Sequence, residues 1–342
     1  MENENTDIYN RVVVNSDPDF VENENADISV SFVILCEQNF DNEINRIYEQ
    51  KVAGISLAEW VAMACESKPN IVYINSNDNF LNVIRPCLTD KDYLVVLYGD
   101  TPLVSKTHLK DLLCYVSRKG LNVCKLKRGY ILKNSFVKQA DNLYFALNYD
   151  LETNDFFQVK SYSDIDKVKG TLENRMFNYH KKNGVFFEDQ KTTTIDANVK
   201  IGRGSYISAG SFVLSGSMIG ENVFVGESTI IKNSNIWIGS KVSPKCIIEN
   251  SIVKENVKIG LDSLISYSVL SGESEVGISS KLIKSTLGEN SKVENFCMLQ
   301  NASILDRAKI GTFSAIIGDG VTINIEKDSE IFAGSKVVKK EE

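Results

Sequence analysis

The sequence predicts two architectures joined in one chain, an α/β domain followed by a parallel β-helix. Three observations carry this reading. Glycine is unevenly spread: of 21 glycines, six fall in residues 1–190 and fifteen in 191–342. Before residue 190, apolar runs of strand length alternate with helix-period segments. After it, an aliphatic residue recurs about every six positions. A length of 342 residues fits two domains, and it buries enough surface to need neither metal nor disulfide.

The first 27 residues carry eight carboxylates against the single Arg11, which predicts a flexible acidic tail in which Ile8 to Val14 can dock locally. Ile28 to Leu35 reads as a buried strand, Leu57 to Cys65 as a helix and Ile71 to Ile74 as a second strand. Tyr93 to Leu97 is a third apolar run, ending abruptly at Tyr98-Gly99-Asp100-Thr101-Pro102-Leu103, and Lys106 to Ser117 has helical periodicity. Strands alternating with helices predict a parallel sheet. Asp164 to Lys182 reads as a polar connecting helix. The predicted division is an acidic tail at 1–27, an α/β domain at 28–160, a linker helix at 161–190, a β-helix at 191–338 and a short tail at 339–342.

The repeat begins with Ile195, Ile201 and Ile207 and continues through Ile219, Val225, Val253, Ile259, Ile265, Leu287, Val293, Leu299, Ile304, Ile310 and Ile316. Each six-residue unit is one short strand and a tight corner, and three units close a triangular coil. The aliphatic side chain points inward, where burial stabilises by ~1.5–3 kcal/mol. Gly and Asn suit the corners, where a positive φ is cheap. At roughly eighteen residues a coil, Thr194 to Val338 makes about eight coils. The irregular steps Ile231 to Ile238 and Leu282 to Leu287 predict corners of altered length. The left hand expected of this β-helix comes from its similarity to known hexapeptide solenoids, since the general crossover rule favours the other hand.

Composition excludes several classes. With 45 carboxylates against 38 Lys and Arg, the net charge of −7 argues against a nucleic-acid-binding face. Two histidines cannot build a His-rich metal site, and seven scattered cysteines without a Cys-x-x-Cys read as reduced, mostly buried thiols. No basic-then-apolar leader opens the chain and no apolar stretch reaches membrane-helix length, so the expectation is a soluble cytoplasmic protein. His108 reads as an exposed or helix-capping residue, His180 as solvated, and Trp60 and Trp237 as packing residues.

Asp100 is the one candidate for chemistry. Ligands of open α/β sheets bind at the carboxyl ends of strands, and a carboxylate there can hold Mg²⁺ against a nucleotide phosphate. The Tyr98-Gly99-Asp100 turn, the connecting helix and the hexapeptide repeat, in that order, resemble the bacterial bifunctional UDP-N-acetylglucosamine pyrophosphorylase / glucosamine-1-phosphate N-acetyltransferase family. Gly184 to Asp189 and Thr193 to Gly202 are similar to that family's passage into its solenoid. Ile283 to Val293 is similar to the stretch before its acetyltransferase centre, and Val33-Ile34-Leu35 and Val52-Ala53-Gly54 to the flanks of its nucleotide loop. The resemblance runs from about Ile28 to Val338. It implies a nucleotidyltransferase-like, Rossmann-like first domain, a homotrimer, and a nucleotide or nucleotide sugar as ligand.

The resemblance also shows what is missing. Where the family carries Ala-Ala-Gly-x-Gly-Thr-Arg-Met and a lysine, this chain has Cys36-Glu37-Gln38-Asn39-Phe40-Asp41-Asn42-Glu43-Ile44, with no glycine before Gly54. Glu37, Asp41 and Glu43 repel phosphate, and Arg46 or Lys51 is a weak substitute for the lost cation. The family's uracil contact falls near Ser76-Asn77, and its second Mg²⁺ ligand falls at Leu172. Only 66 residues separate Leu103 from Gly170, which leaves out much of a sugar-binding lobe. In the second half the family's general base falls at Asn295, which cannot take a proton, and its tyrosine at Met298. Its sugar-phosphate cations reduce to Lys284. The implied reading is a protein without either activity that binds, regulates or assembles in nucleotide-sugar and envelope metabolism. The alternatives are an active nucleotidyltransferase rebuilt around Asp100 and Mg²⁺, and a purely structural solenoid.

Overall fold

The computed structural model describes residues 11–12, 28–38, 46–143, 147–149 and 154–341. It divides into two compact units, 1–172 and 173–342.

The first unit is built on a seven-stranded sheet in the order Arg11–Val12, Leu147–Tyr149, Val123–Leu126, Gly129–Lys133, Tyr93–Tyr98, Val30–Gln38, Asn70–Asn75. Side chains alternate across it, as strand geometry requires. Phe32, Ile34 and Cys36 pack with Val61, Leu109, Leu112 and Val116 on one face. Val33 and Leu35 pack with Leu81, Ile84 and Val137 on the other. Both faces are therefore covered, which explains why the strands read as unbroken apolar runs. Helix α1 (Leu57–Ala64) starts at a capping box in which Ser56 accepts from the Glu59 N–H and Glu59 accepts from the Ser56 N–H. Two short helices, α2 (Phe80–Ile84) and α4 (Asn134–Val137), flank the longer α3 (Lys106–Arg118) in sequence.

The expectation of a parallel sheet needs correction. Gly129–Lys133 runs antiparallel to both its neighbours, Tyr93–Tyr98 and Val123–Leu126. It enters by a tight hairpin whose turn is Lys127-Arg128. Within the expected acidic tail, Arg11–Val12 adds to the sheet edge beside Asn148–Tyr149, and the rest of that tail lies outside the described residues.

Helix α5 (Tyr162–Lys182) runs from one unit into the other. Its buried residues Val168, Leu172, Met176, Phe177 and His180 lie along one stripe, as in a packed helix. His180 is thus not solvated, against expectation: it is 2% exposed and packs edge-on against Phe187. Trp60 is buried, with its indole N–H donating to the Val52 carbonyl at 2.9 Å. Trp237, expected to pack, is instead 41% exposed. All seven cysteines are free; four are buried and three half-buried. No helix among the described residues is long and apolar enough to cross a membrane.

The second unit is a three-sided parallel β-helix whose walls hold nine, nine and eight strands, from Phe186–Phe187 to Lys336–Lys340. It has about nine turns rather than eight, for two reasons. The ladder opens at Phe186, before Thr194, and most coils repeat after 17 residues, as in Val225↔Val242↔Ile259. The shortening falls at one corner: Val213 and Ile219 occupy successive walls, and one coil later so do Ile231 and Ile236. Ile236, not Ile238, is therefore the inward residue; Ile238 is 49% exposed.

Buried serines explain the small residue in each repeat. Ser217, Ser234, Ser251, Ser268 and Ser285 stack on one corner, each hydroxyl accepting from the backbone N–H of the next coil at 3.0–3.4 Å. On one wall Phe186, Tyr206 and Phe224 stack outward, with ring centroids 4.8 and 5.5 Å apart.

Candidate functional site

The first unit concentrates its polar chemistry at the carboxyl end of Tyr93–Tyr98. Five buried apolar residues carry this strand through the middle of the sheet, and it stops where Tyr98-Gly99-Asp100 turns. Packing is tight at Gly99: a Cβ there would lie 3.1 Å from both Cys36 Sγ and Tyr48 Cβ, so those neighbours would have to give way. Its N–H donates to the Leu35 carbonyl at 2.8 Å, and the Asp100 carbonyl accepts from the Val159 N–H at 2.9 Å. Asp100 is thereby pinned, 7% exposed, beside the end of Val30–Gln38.

Its carboxylate is already engaged. Arg128 Nε donates to Asp100 Oδ1 at 2.8 Å, and Arg128 Nη2 to Asp100 Oδ2 at 2.7 Å. The same Nη2 donates to Glu37 Oε2 at 2.7 Å. Gln158 Nε2 adds a bond to Asp100 Oδ2 at 2.9 Å. The guanidinium carbon sits 4.1 Å from the centre of the Tyr98 ring, within cation–π range. The hairpin delivers Arg128 here because Gly129 adopts φ 134° against the strand; a Cβ at Gly129 would meet the Val96 carbonyl oxygen at 2.5 Å.

Burial works against the charge of Arg128, but hydrogen bonds and charge from Asp100, then Glu37, outweigh it and hold its pKa above the ordinary value. Burial, followed by the charge of Glu37, pushes the Tyr98 phenol up to about 12. Burial and then the charge of Asp100 push the Cys36 thiol up to about 12 as well, so it is no nucleophile at neutral pH.

Mg²⁺, implied by the resemblance, does not fit this arrangement. Both Asp100 oxygens are committed to a bidentate guanidinium, and the nearest second carboxylate shares that cation. Among the described residues no group of three or more His, Cys, Asp or Glu is placed to hold a metal.

The other positions singled out in the sequence do not gather here. Arg46 is exposed and pairs with Glu49 at 3.4 Å, Lys51 is exposed, and Ser76 and Asn77 lie in an exposed turn. Leu172 is fully buried in α5 and has no group that could hold a metal. Asp41 and Glu43 fall outside the described residues. His108 is half-buried rather than exposed; its Nδ1 lies 2.9 Å from Asp155 Oδ2, and its backbone N–H donates to Ser105 at the start of α3.

In the β-helix, Asn295 holds a corner: its Oδ1 accepts from the Ile278 N–H of the preceding coil at 2.8 Å. It also lines a surface groove of about 330 Å³ with Lys241, Lys258, Glu275, Lys292 and Glu294. Lys258 and Lys292 share Glu275 at 2.7 and 3.9 Å. Lys284 stands exposed at a different corner, with φ 49°. Met298 points outward on the wall between those corners. Asn295 and Lys284 are thus not brought together.

Sequence reasoning missed Arg128, Glu37 and Gln158 as partners of Asp100. A signal existed: Lys127-Arg128-Gly129 sits between two apolar runs, Val123–Leu126 and Tyr130–Leu132, the pattern of a tight hairpin.

No family model matches the chain, and no curated protein matches it in sequence. Solved structures are similar to it over less than half its length. One is a CMP:2-keto-3-deoxy-manno-octonic acid synthetase complexed with CTP, at 8% identity and TM-score 0.35, covering 43% of this chain and 99% of that one. Another is a cytidylyltransferase from Leptospira borgpetersenii, at 12% identity and TM-score 0.33, covering 46% and 95%. A third, a Mycobacterium tuberculosis H37Rv protein, is 9% identical with TM-score 0.32, covering 42% and 98%.

Proposed function

We propose that this chain is a non-catalytic relative of the sugar-phosphate nucleotidyltransferases, of the UDP-N-acetylglucosamine pyrophosphorylase kind. In this reading it acts as a binding, regulatory or assembly subunit in nucleotide-sugar metabolism. The observation that carries the reading is the bidentate Arg128–Asp100 pair, which commits the carboxylate that such chemistry would give to Mg²⁺. In the β-helix, the amide of Asn295 stands where the resemblance expects a base. The subunit assembles as a homotrimer through its flat walls, where outward apolar residues such as Phe212 and Ile247 lie in one row.

Thermal unfolding with and without Mg²⁺, against UTP, UDP-N-acetylglucosamine, glucosamine-1-phosphate and acetyl-CoA, tests this. A ligand at a hundred times its Kd stabilises by ~2.7 kcal/mol, a readable shift. A shift that is the same with and without Mg²⁺ supports a binding subunit. No shift with any ligand moves the role to assembly. A Mg²⁺-dependent shift with UTP that Asp100→Ala removes would overturn the proposal in favour of a rebuilt enzyme.

A further inference from the structure

We infer that Arg128 is a resident cation: its guanidinium takes the place of a divalent ion between Glu37 and Asp100, closing the strand end to metal, and its removal opens a metal site. This rests on the non-catalytic reading and deepens it by naming what keeps the site silent. The decisive geometry is at one atom. Arg128 Nη2 lies 2.7 Å from Glu37 Oε2 and 2.7 Å from Asp100 Oδ2, so a cation centred there has a carboxylate oxygen on either side. Carboxylate oxygens with a neutral amide beside them are a donor set for Mg²⁺ or Mn²⁺, which complete their shells with water. Gln158 supplies that amide once it turns toward the ion its Oε1, in place of the Nε2 that donates to Asp100.

The guanidinium is also held from outside the carboxylates. Tyr98 lies under its plane, and the hairpin at Gly129 is pressed against the Val96 carbonyl, which fixes where its backbone starts. Its side chain is 18% exposed and that of Asp100 only 9%. A planar fork matches a carboxylate bidentately, and a spherical ion must displace both bonds to enter. Two carboxylates against one guanidinium leave the cluster at −1, and −2 once the guanidinium is gone. That charge is the driving force for a divalent ion.

The test uses the full chain, Mn²⁺ as the probe, and two readouts: free Mn²⁺ by electron paramagnetic resonance, and the melting temperature. The wild-type chain is expected to leave millimolar Mn²⁺ free and to melt unchanged. Arg128→Met is expected to melt lower, to bind Mn²⁺, and to gain about 5 °C or more at a hundred times its Kd. Adding Asp100→Asn to Arg128→Met is expected to abolish that binding. A folded Arg128→Met that binds no Mn²⁺, or a wild type that binds it as tightly, overturns the inference. Should Arg128→Met not fold, the Arg128→Met/Asp100→Asn chain is expected to fold, because the more buried of the two carboxylates is then neutral and only the more exposed Glu37 keeps its charge; if it does not, the guanidinium serves packing and the inference is overturned. Nucleotidyl transfer by the wild type would defeat the non-catalytic reading itself, whereas a metal-free Arg128→Met leaves that reading standing.

Discussion

At the scale of single residues, an ion pair in the first unit and a buried histidine in the second each make a testable contribution to stability. Asp100 and Arg128 form a pair whose members are each tolerable only together. Replacing Asp100 by Ala leaves the guanidinium with Glu37 alone, and an expected loss of about 3 kcal/mol follows, read by urea unfolding. His180 gives a pH dependence. Burial holds its pKa below the ordinary 6.5, and its Nδ1 has no partner among the described residues. The unfolded chain therefore binds the proton more readily than the folded one. The neutral ring costs nothing above the unfolded value, and stability falls as pH drops below about 6.5 toward the folded value. His180→Phe is expected to flatten that fall between pH 5 and 7; an unchanged slope by chemical denaturation at several pH values would contradict it. Asp100 was visible in the sequence because a carboxylate after an apolar run is a local pattern. Its guanidinium partner, 28 positions later, was not, because only the sheet pairing brings the two together.

At the scale of elements, the serine ladder is the feature most open to a direct check. Ser268 accepts from the Ser285 N–H at 3.1 Å and donates to the Ser266 carbonyl at 2.8 Å. Ser268→Ala strands a buried N–H, with an expected cost of about 1–3 kcal/mol; Ser268→Thr keeps the acceptor and should recover much of it. Differential scanning calorimetry separates these outcomes. The inward aliphatics were legible because one residue type at a fixed period specifies a wall. The coil length was less so. Removing one residue at a corner keeps every strand inward-facing while moving the repeat from eighteen to seventeen, so Ile238 could pass for Ile236. In the first unit the parallel strands were legible as apolar runs, but Gly129–Lys133 showed only through its Lys127-Arg128 hairpin turn. Strand direction depends on a hairpin of two residues rather than on composition.

At the scale of the whole molecule, sequence order and repeat indicated a two-part chain, and the walls of the β-helix support the proposal of self-association. Light scattering coupled to size exclusion is expected to give three times the chain mass, and Phe212→Asp with Ile247→Asp, which sets charge on one outward row, is expected to lower it. A monomeric wild type would contradict the proposal. The most direct test of the proposal that this strand end is silent is pyrophosphate release from nucleoside triphosphates. The purified chain, Mg²⁺, UTP or CTP and a panel of sugar 1-phosphates and acidic sugars are required. The expected result is no release above background for the wild type, unchanged in Asp100→Asn. Sustained turnover by the wild type that Asp100→Asn abolishes would contradict it, since Arg128 would then have to leave Asp100 for the metal during catalysis.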